Sequence, residues 1–414
     1  LNQLPNQPLP VLYISYDGMT DPLGQSQVLP YLIHLKKSHP QITILSAEKP
    51  ERYAEGKENI AAIMNRHGIT WIPLVYHKQP PLFSTYYDSW KLKKKATTIC
   101  SATPHIVHCR SYIAGLIGLH LKHKFNVNFI FDMRGFWADE RIEGGIWPKN
   151  HWLFSKVYRY FKRKEQAFFK HADTVISLTH QGKHVLNKTF GVDQSKISVV
   201  PCCVDTHTFL PEKIDVAIVA SLKKQLGIQQ NDFVVGYLGS IGTWYLLEEM
   251  MQFFAQLKQR KNNARFLFIT TESAATIYLE AQKAGLNSND IIITKSERGD
   301  VPLHLSLCHL GLFFIKPVFS KIASSPTKMG EMLSMGLPVI CNTGVGDVEQ
   351  IVNEGGCGLA IDSFTPEAYK KAIDEIDVLL KTNPEQIRAA ADRYFNLEEG
   401  VEQYRLAYTK KSYS

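Results

Sequence analysis

The sequence predicts an α/β protein of two doubly wound domains, each a parallel sheet covered by helices on both faces. Three observations carry this. Short runs of apolar and β-branched residues alternate with longer stretches of helical periodicity along the chain. Those runs are apolar throughout rather than at every second residue, as strands buried on both faces are. The runs fall into two sets on either side of a polar stretch at 211–232, and 414 residues suit two domains better than one.

In chain order, the first half offers strands at Val11–Tyr16, Ile42–Ser46, Thr70–Val75, Ile106–Cys109, Asn128–Asp132, Thr174–Leu178 and Ile197–Val200. The second half continues at Phe233–Leu238, Arg265–Thr270, Ile291–Lys295, Leu310–Ile315, Pro338–Asn342 and Gly358–Ile361. Between successive runs lies enough chain for a crossover helix, which parallel pairing requires. Domains at 1–205 and 206–395 follow, joined by a linker near Cys203–Thr208, and Pro384–Tyr413 reads as helix. Ligands of open parallel sheets bind beyond the carboxyl ends of the strands, so the loops after strands are where function is sought.

Composition narrows the class. With 44% hydrophobic and 21% charged residues the chain is ordinary and globular, neither disordered nor fibrous. No apolar run approaches the roughly 18–20 residues that cross a bilayer. Leu1–Pro10 lacks the basic start and apolar core of a secretory signal. The seven cysteines form no Cys-x-x-Cys pair, so a disulfide framework or thiolate zinc site is not expected and a cytoplasmic setting is. His120/His123 and His180/His184 have helical spacing without a supporting carboxylate or thiolate set, so no metal is expected. There is no Gly-x-Ser-x-Gly and no Walker loop.

Charge is uneven. Residues 1–200 carry 26 Lys/Arg against 14 Asp/Glu, and residues 201–414 carry 21 against 25. The first half therefore suits an acidic partner. One basic cluster is Lys91, Lys93, Lys94 and Lys95 beside Trp90. The other is Lys156, Arg159, Lys162, Arg163, Lys164 and Lys170, interleaved with Trp152, Phe154, Tyr158, Tyr160, Phe161, Phe168 and Phe169. Two readings stand: a face for anionic lipid headgroups, or a surface helix with an apolar side on the core and a solvated basic side. Without a nucleic-acid motif, nucleic acid is not an expected partner.

The strongest local signal lies between Phe314 and Ile340. Ser325 fits an N-cap and Pro326 the first helical position, which puts Thr327 and Lys328 in the first turn. Gly336 and Pro338 fit a helix stop before a strand. A phosphate at that helix start would meet amide donors, the positive dipole end and an ammonium. Glu331 shares a face with Lys328, where a carboxylate can accept both hydroxyls of a ribose. A capped helix with a surface ion pair is the alternative.

This stretch resembles the donor-binding segment of the family-four (group 1) glycosyltransferases, which have the GT-B fold: two Rossmann-like domains facing an interdomain cleft. Glu331, Gly336, Leu337, Pro338, Val339 and Ile340 match the second half of that segment, and Thr343–Val352 is similar to the glycine-rich turn after it. The resemblance covers nearly the whole chain. It implies that Glu331 binds ribose, that Ser324, Ser325, Thr327 and Lys328 contact the donor, and that a last helix, 396–414, returns to the first domain, docking through Tyr404, Leu406, Ala407 and Tyr408. Two family features are missing. The first Glu of the segment falls on Ala323. The turn Gly236–Tyr245 offers Gly239, Ser240, Gly242 and Thr243 but no Arg–Lys pair to neutralise a diphosphate. Lys328 is the favoured replacement, then Arg298, with Lys316 and Lys321 as further cations.

In the first domain, Asp17, Gly18, Gly24 and Gln25 lie in the loop that family members use for acceptor and donor-phosphate contacts. Asp132 stands where many members carry a His, as a substitute contact or an acceptor-side base, and Arg134 can pair with it or hold a phosphate. His108 and Arg110 also end a strand, with His108 a candidate on the acceptor side. Asp132, Arg134 and Lys328 are the catalytic candidates. Phe136, Trp137 and Trp147 suit core packing or a sugar face. The resemblance implies a glycosyltransferase moving a sugar from a nucleotide-diphosphate sugar to a glycan or lipid-linked acceptor, with retention and no metal. The nucleotide sugar is a co-substrate and no cofactor is expected. Surface polysaccharide or glycoconjugate synthesis, in the cytoplasm or peripheral on the inner face of a membrane, is the implied setting. Two rivals are a sugar-nucleotide epimerase, using Asp132 with Asp139 or Glu140, and a non-catalytic sugar-nucleotide or lipid-binding protein.

Overall fold

A computed structural model describes residues 8–103 and 105–410. Expectations placed on residues 1–7 and 411–414 lie outside them. The chain divides into two units. One holds the chain up to Pro201 together with the segment from Leu397, and the other is Cys202–Asn396.

The first unit is built on seven strands: β1 (Val11–Ser15), β2 (Ile42–Glu48), β3 (Thr70–Val75), β4 (Ile106–Arg110), β5 (Asn128–Asp132), β6 (Thr174–Ser177) and β7 (Ile197–Val199). They pair in parallel in the order β3-β2-β1-β4-β5-β6-β7. The second unit carries β8 (Phe233–Leu238), β9 (Ala264–Ile269), β10 (Ile291–Thr294), β11 (Leu310–Leu312), β12 (Val339–Asn342) and β13 (Gly358–Ile361), in the order β10-β9-β8-β11-β12-β13. These are the thirteen runs read from the sequence. Most of their side chains are buried, as in β1, β4 and β8, because helices cover both faces, whereas the edge strand β3 is half-buried to exposed. A fully buried Phe or Leu contributes about 1.5–3 kcal/mol.

Each sheet reverses its strand order once, between β1 and β4 and between β8 and β11. The two crossovers leave in opposite directions there, which is where open parallel sheets place their ligands.

Three local expectations are corrected. β11 stops at Leu312 rather than Ile315, because the Asn342 side chain takes over there: its Oδ1 accepts from Ile315 N–H at 2.7 Å and its Nδ2 donates to Ile315 C=O at 2.9 Å. Cys203–Thr208 is not a loose linker throughout: Val204 is buried, and its N–H donates to Phe395 C=O at 2.8 Å. The helical stretch after Pro384 is two helices, Pro384–Phe395 and Leu397–Thr409, broken at Asn396, whose ψ of 125° is extended.

The helix Leu397–Thr409 packs on the helix Leu29–Leu35 of the first unit and buries Tyr404, Ala407 and Tyr408. Leu406 is 40% exposed and is not part of that face.

Candidate functional site

At the β8/β11 reversal the loop after β8 is pinned to the loop after β11. Leu246 N–H donates to Phe314 C=O at 3.0 Å, and Lys316 N–H to Trp244 C=O at 2.9 Å. The loop turns at Gly239, whose φ of +103° only glycine adopts without strain. Ser240, Gly242 and Thr243 follow and are exposed. Among the described residues their amides donate no backbone hydrogen bond.

Lys328 reaches this turn from the helix Thr327–Ser334. Its ammonium sits 4.0 Å from the ring centroid of Tyr237 on β8 and 3.5 Å from that of Tyr245 in the loop. A Cβ on Gly239 would lie 3.6 Å from Nζ. The residue is 6% exposed, and Nζ has no hydrogen-bond partner among the described residues. Burial pushes its pKa well below the ordinary lysine value, and Glu331 offsets this only in part. The Tyr237 hydroxyl donates to Ser240 C=O, which fixes one wall of the aromatic box. A dry lysine beside a glycine turn and a helix start is arranged to meet an anion.

Glu331 lies one turn along the same helix and is buried. Burial raises its pKa, and Arg298, which forms an ion pair with it, works against that rise. Arg298 therefore does not stand beside Lys328 as a second free cation. Its guanidinium spans Glu331 and the ring of Phe209, 4.9 Å away.

Ser325 is not the helix cap. Pro326 holds that position without a side-chain bond, and Ser325 Oγ accepts from Cys202 N–H at 3.1 Å. Ser324 and Thr327 are half-buried on either side. Lys316 is exposed, whereas Lys321 is buried over Trp244, 3.8 Å from its ring centroid, and is not a solvated loop residue.

The β1/β4 reversal is filled differently. The loop after β1 wraps a carboxylate from β2: Glu48 accepts from Met19 N–H at 2.7 Å, Thr20 N–H at 3.1 Å and the Thr20 hydroxyl at 2.7 Å. Gly18 N–H donates to Asp21 at 3.4 Å, and Gln25 Nε2 donates to Thr20 C=O at 3.1 Å. A Cβ on Gly24 would meet Gly18 C=O at 2.2 Å, so glycine there lets the loop fold on itself. Of the residues placed in this loop for acceptor contacts, Asp17 keeps an exposed carboxylate, 3.5 Å from Arg110 Nε.

Asp132 ends β5 in register with Arg110 on β4. It is fully buried. Its Oδ2 accepts from the Tyr404 hydroxyl at 3.1 Å, with His108 Nε2 at 3.4 Å and Arg134 Nη1 at 3.8 Å. Its Oδ1 has no hydrogen-bond partner. Burial pushes the carboxyl pKa up, yet Arg134, His108 and Arg110 outweigh it and hold Asp132 below the usual range. His108 pairs through Nδ1 with the Tyr408 hydroxyl at 2.8 Å, and burial lowers its pKa. The group is thus an ionised, desolvated carboxylate rather than one poised to take a proton near neutrality.

Asp139 is engaged by Tyr158 and Lys162, each at 2.8 Å. Phe136 and Trp147 are buried, and Trp137 packs between Tyr112, Trp147 and Phe161, so these rings serve the core. On the basic helix Trp152–His171, Phe161, Phe168 and Phe169 are buried as well, leaving Trp152 and Tyr160 outside. The helix Phe83–Cys100 instead exposes Phe83, Tyr86, Tyr87 and Trp90 on one stripe with Lys91, Lys93, Lys94 and Lys95 beside it, and its one acid, Asp88, is buried against His77. All seven cysteines are free. No helix among the described residues is long and apolar enough to cross a membrane.

Comparison with known proteins agrees with this architecture. Glycosyltransferase Family 4 matches residues 31–208, and Glycosyl transferases group 1 matches residues 219–392. The chain belongs to the family-four/group 1 glycosyltransferases, and its fold is GT-B. Similar solved structures include a glycosyltransferase from Rickettsia africae, at 14% identity over 96% of this chain and 98% of that one, TM-score 0.67. HepE from Anabaena, in complex with UDP-glucose, is similar at 13% identity over 96% and 98%, TM-score 0.68. A UDP-GlcNAc 2-epimerase from Neisseria meningitidis bound to UDP-GlcNAc is similar at 13% identity over 97% and 100%, TM-score 0.59. No curated protein matches the sequence.

Proposed function

We propose that the chain transfers a hexosyl or related sugar from a nucleotide-diphosphate sugar to a glycan or lipid-linked acceptor, with retention at the anomeric carbon and without a metal ion. One observation carries the reading: Lys328, buried and without a hydrogen-bond partner, sits at the β8/β11 reversal beside Gly239 and one turn from Glu331. The diphosphate would lie against the turn Gly239–Thr243, with Ser240, Gly242, Ser324, Ser325 and Thr327 around it. Lys328 would neutralise the charge that grows on the leaving diphosphate, in a dry site where such stabilisation is strongest. Glu331, whose charged form Arg298 supports against the effect of burial, would accept the ribose hydroxyls. Asp132 Oδ1, ionised and unpartnered, suits a sugar hydroxyl, with Arg134 and His108 holding the carboxylate in place. The similar HepE structure, which holds UDP-glucose, supports a uridine nucleotide as the first to test.

The test is a thermal-shift panel of nucleotide sugars on the wild type and Glu331→Ala. One nucleotide is expected to raise the wild-type melting temperature by mass action. In calorimetry Glu331→Ala should bind it about 1.5–3 kcal/mol more weakly, the scale of charge-assisted hydrogen bonds. Equal affinity removes Glu331 from the site. The epimerase reading is weakened by the commitment of Asp139 to Lys162 and Tyr158. Donor incubated without acceptor stays unchanged under transfer and is converted under epimerisation. A purely binding protein would turn over no acceptor.

The stripe Phe83, Tyr86, Tyr87 and Trp90 with its lysines supports a peripheral seat on an anionic membrane, in the cytoplasm, and a role in surface glycoconjugate synthesis. Anionic vesicles should bind the protein, and added salt should release it. Equal binding to neutral vesicles rejects the electrostatic part.

A further inference from the structure

Outside the residues proposed for the nucleotide, the least explained group is Arg110. It ends β4, is 4% exposed, and its Nε and Nη1 have no hydrogen-bond partner among the described residues. Its ion-pair partner is the Asp17 carboxylate, 3.5 Å from Nε and 47% exposed. The Tyr13 hydroxyl lies beside it as well. Arg110 does not have the nearest buried carboxylate to itself. Asp132, its neighbour in register, is shared with Arg134, His108 and Tyr404. Burial disfavours the charged form of His108.

The backbone points to the same place. Ser111, next after Arg110, has φ +66°, and Arg134, two residues past the end of β5, has φ +55°. Side chains other than glycine rarely occupy that region, and such strain gathers at binding sites. Ser111 also opens a helix of 15 residues, Ser111–Phe125, whose positive dipole end adds to the same field.

We infer that Arg110 receives a second anion, a phosphate ester on the acceptor. The inference rests on the reading that Lys328 and Glu331 take the nucleotide, because a separate anion in the first unit then belongs to the other substrate. A neutral glycan would leave this buried guanidinium with only the half-exposed Asp17 carboxylate as its own counter-charge, whereas a phosphorylated sugar or a lipid-linked phosphate would bring a second one and an acceptor for the open N–H groups.

The experiment is calorimetry of the full chain with inorganic phosphate, with and without a saturating nucleoside diphosphate chosen from the panel. Phosphate should bind the wild type in both conditions. Arg110→Gln should lose about tenfold or more in phosphate affinity and keep its nucleotide affinity within about twofold, since only one charged contact is removed. Glu331→Ala should give the reverse pattern. Its failure to do so, with the Arg110 pattern intact, sinks the nucleotide assignment alone. Phosphate binding by Arg110→Gln at the wild-type level, or displacement of phosphate by the nucleotide in the wild type, overturns the inference. Arg110→Lys, which keeps the charge and loses the fork, should bind phosphate at an intermediate level. A phosphate-free melting temperature far below wild type in both variants would mark Arg110 as structural and also overturn it. A soluble sugar phosphate and vesicles containing phosphatidic acid, titrated into wild type and Arg110→Gln, separate the two sources: the arm weakened by the substitution names the acceptor.

Discussion

The two sheets share a strand order and reverse it at equivalent places, yet the two reversals are furnished in opposite ways. At β1/β4 the loop closes on the chain's own carboxylate, with Met19 and Thr20 donating to Glu48. At β8/β11 the amides of Ser240, Gly242 and Thr243 make no backbone hydrogen bond among the described residues, and Lys328 waits beside them. Topology alone therefore does not make a phosphate site. What separates the loops is whether their donors are already spent.

The comparison breaks most sharply at Lys328. Replacing it with Met should lower turnover at saturating donor by about 10²–10³-fold, the loss seen when one preorganised stabiliser of developing charge is removed. The same substitution removes a buried amine whose charged form burial disfavours and should stabilise the free protein. Because the folded pKa of Lys328 lies below that of the unfolded chain, its destabilising effect is full below the folded value. Stability should then rise as pH climbs from the folded value to the unfolded one, and Lys328→Met should lack that rise in a pH series of melts. Wild-type turnover in the variant would make the two reversals alike.

Glu48→Ala attacks the other side. It strips Met19 and Thr20 of their acceptor and should cost about 1.5–3 kcal/mol of stability. Acetate should restore part of the loss in the variant and do nothing for the wild type. Without such rescue the loop is not an anion nest that Glu48 fills. Arg298→Ala carries the smallest effect. Losing the cation that opposes burial raises the Glu331 pKa further. Nucleotide affinity should fall about three- to fivefold at neutral pH and weaken further as pH drops, with the wild type changing less. Tighter binding in the variant would mean that Arg298 blocks the ribose position.

Much of the fold could be read ahead of the coordinates because buried parallel strands are apolar on both faces, and β1, β4 and β8 announce themselves in that way. The place of Lys328 and Glu331 on one helix face was legible for a similar reason, since helical spacing is local. What stayed hidden depends on distant partners. Ser325 looked like a cap until the Cys202 amide, 123 residues away, claimed its hydroxyl. Arg298 and Glu331 are 33 residues apart, and Asp132 meets Tyr404 across 272. Glu48 and Arg110 gave little signal: a carboxylate at a strand end and a buried arginine whose carboxylate partner is half-exposed differ from their ordinary counterparts only in three dimensions. Tyr237 and Tyr245 read as strand and loop aromatics, and nothing local marks them as the walls of a cation box.

Tyr404 and Tyr408 have a consequence for biogenesis. The polar cluster around His108 and Asp132 is completed by residues made almost three hundred positions later. During synthesis the first half must wait, its buried carboxylate lacking a hydroxyl, while Cys202–Asn396 emerges as an uninterrupted stretch able to fold first. A nascent chain halted before Leu397 should thus hold a finished second half beside an unfinished first one, inverting the usual order in which multidomain proteins mature on the ribosome.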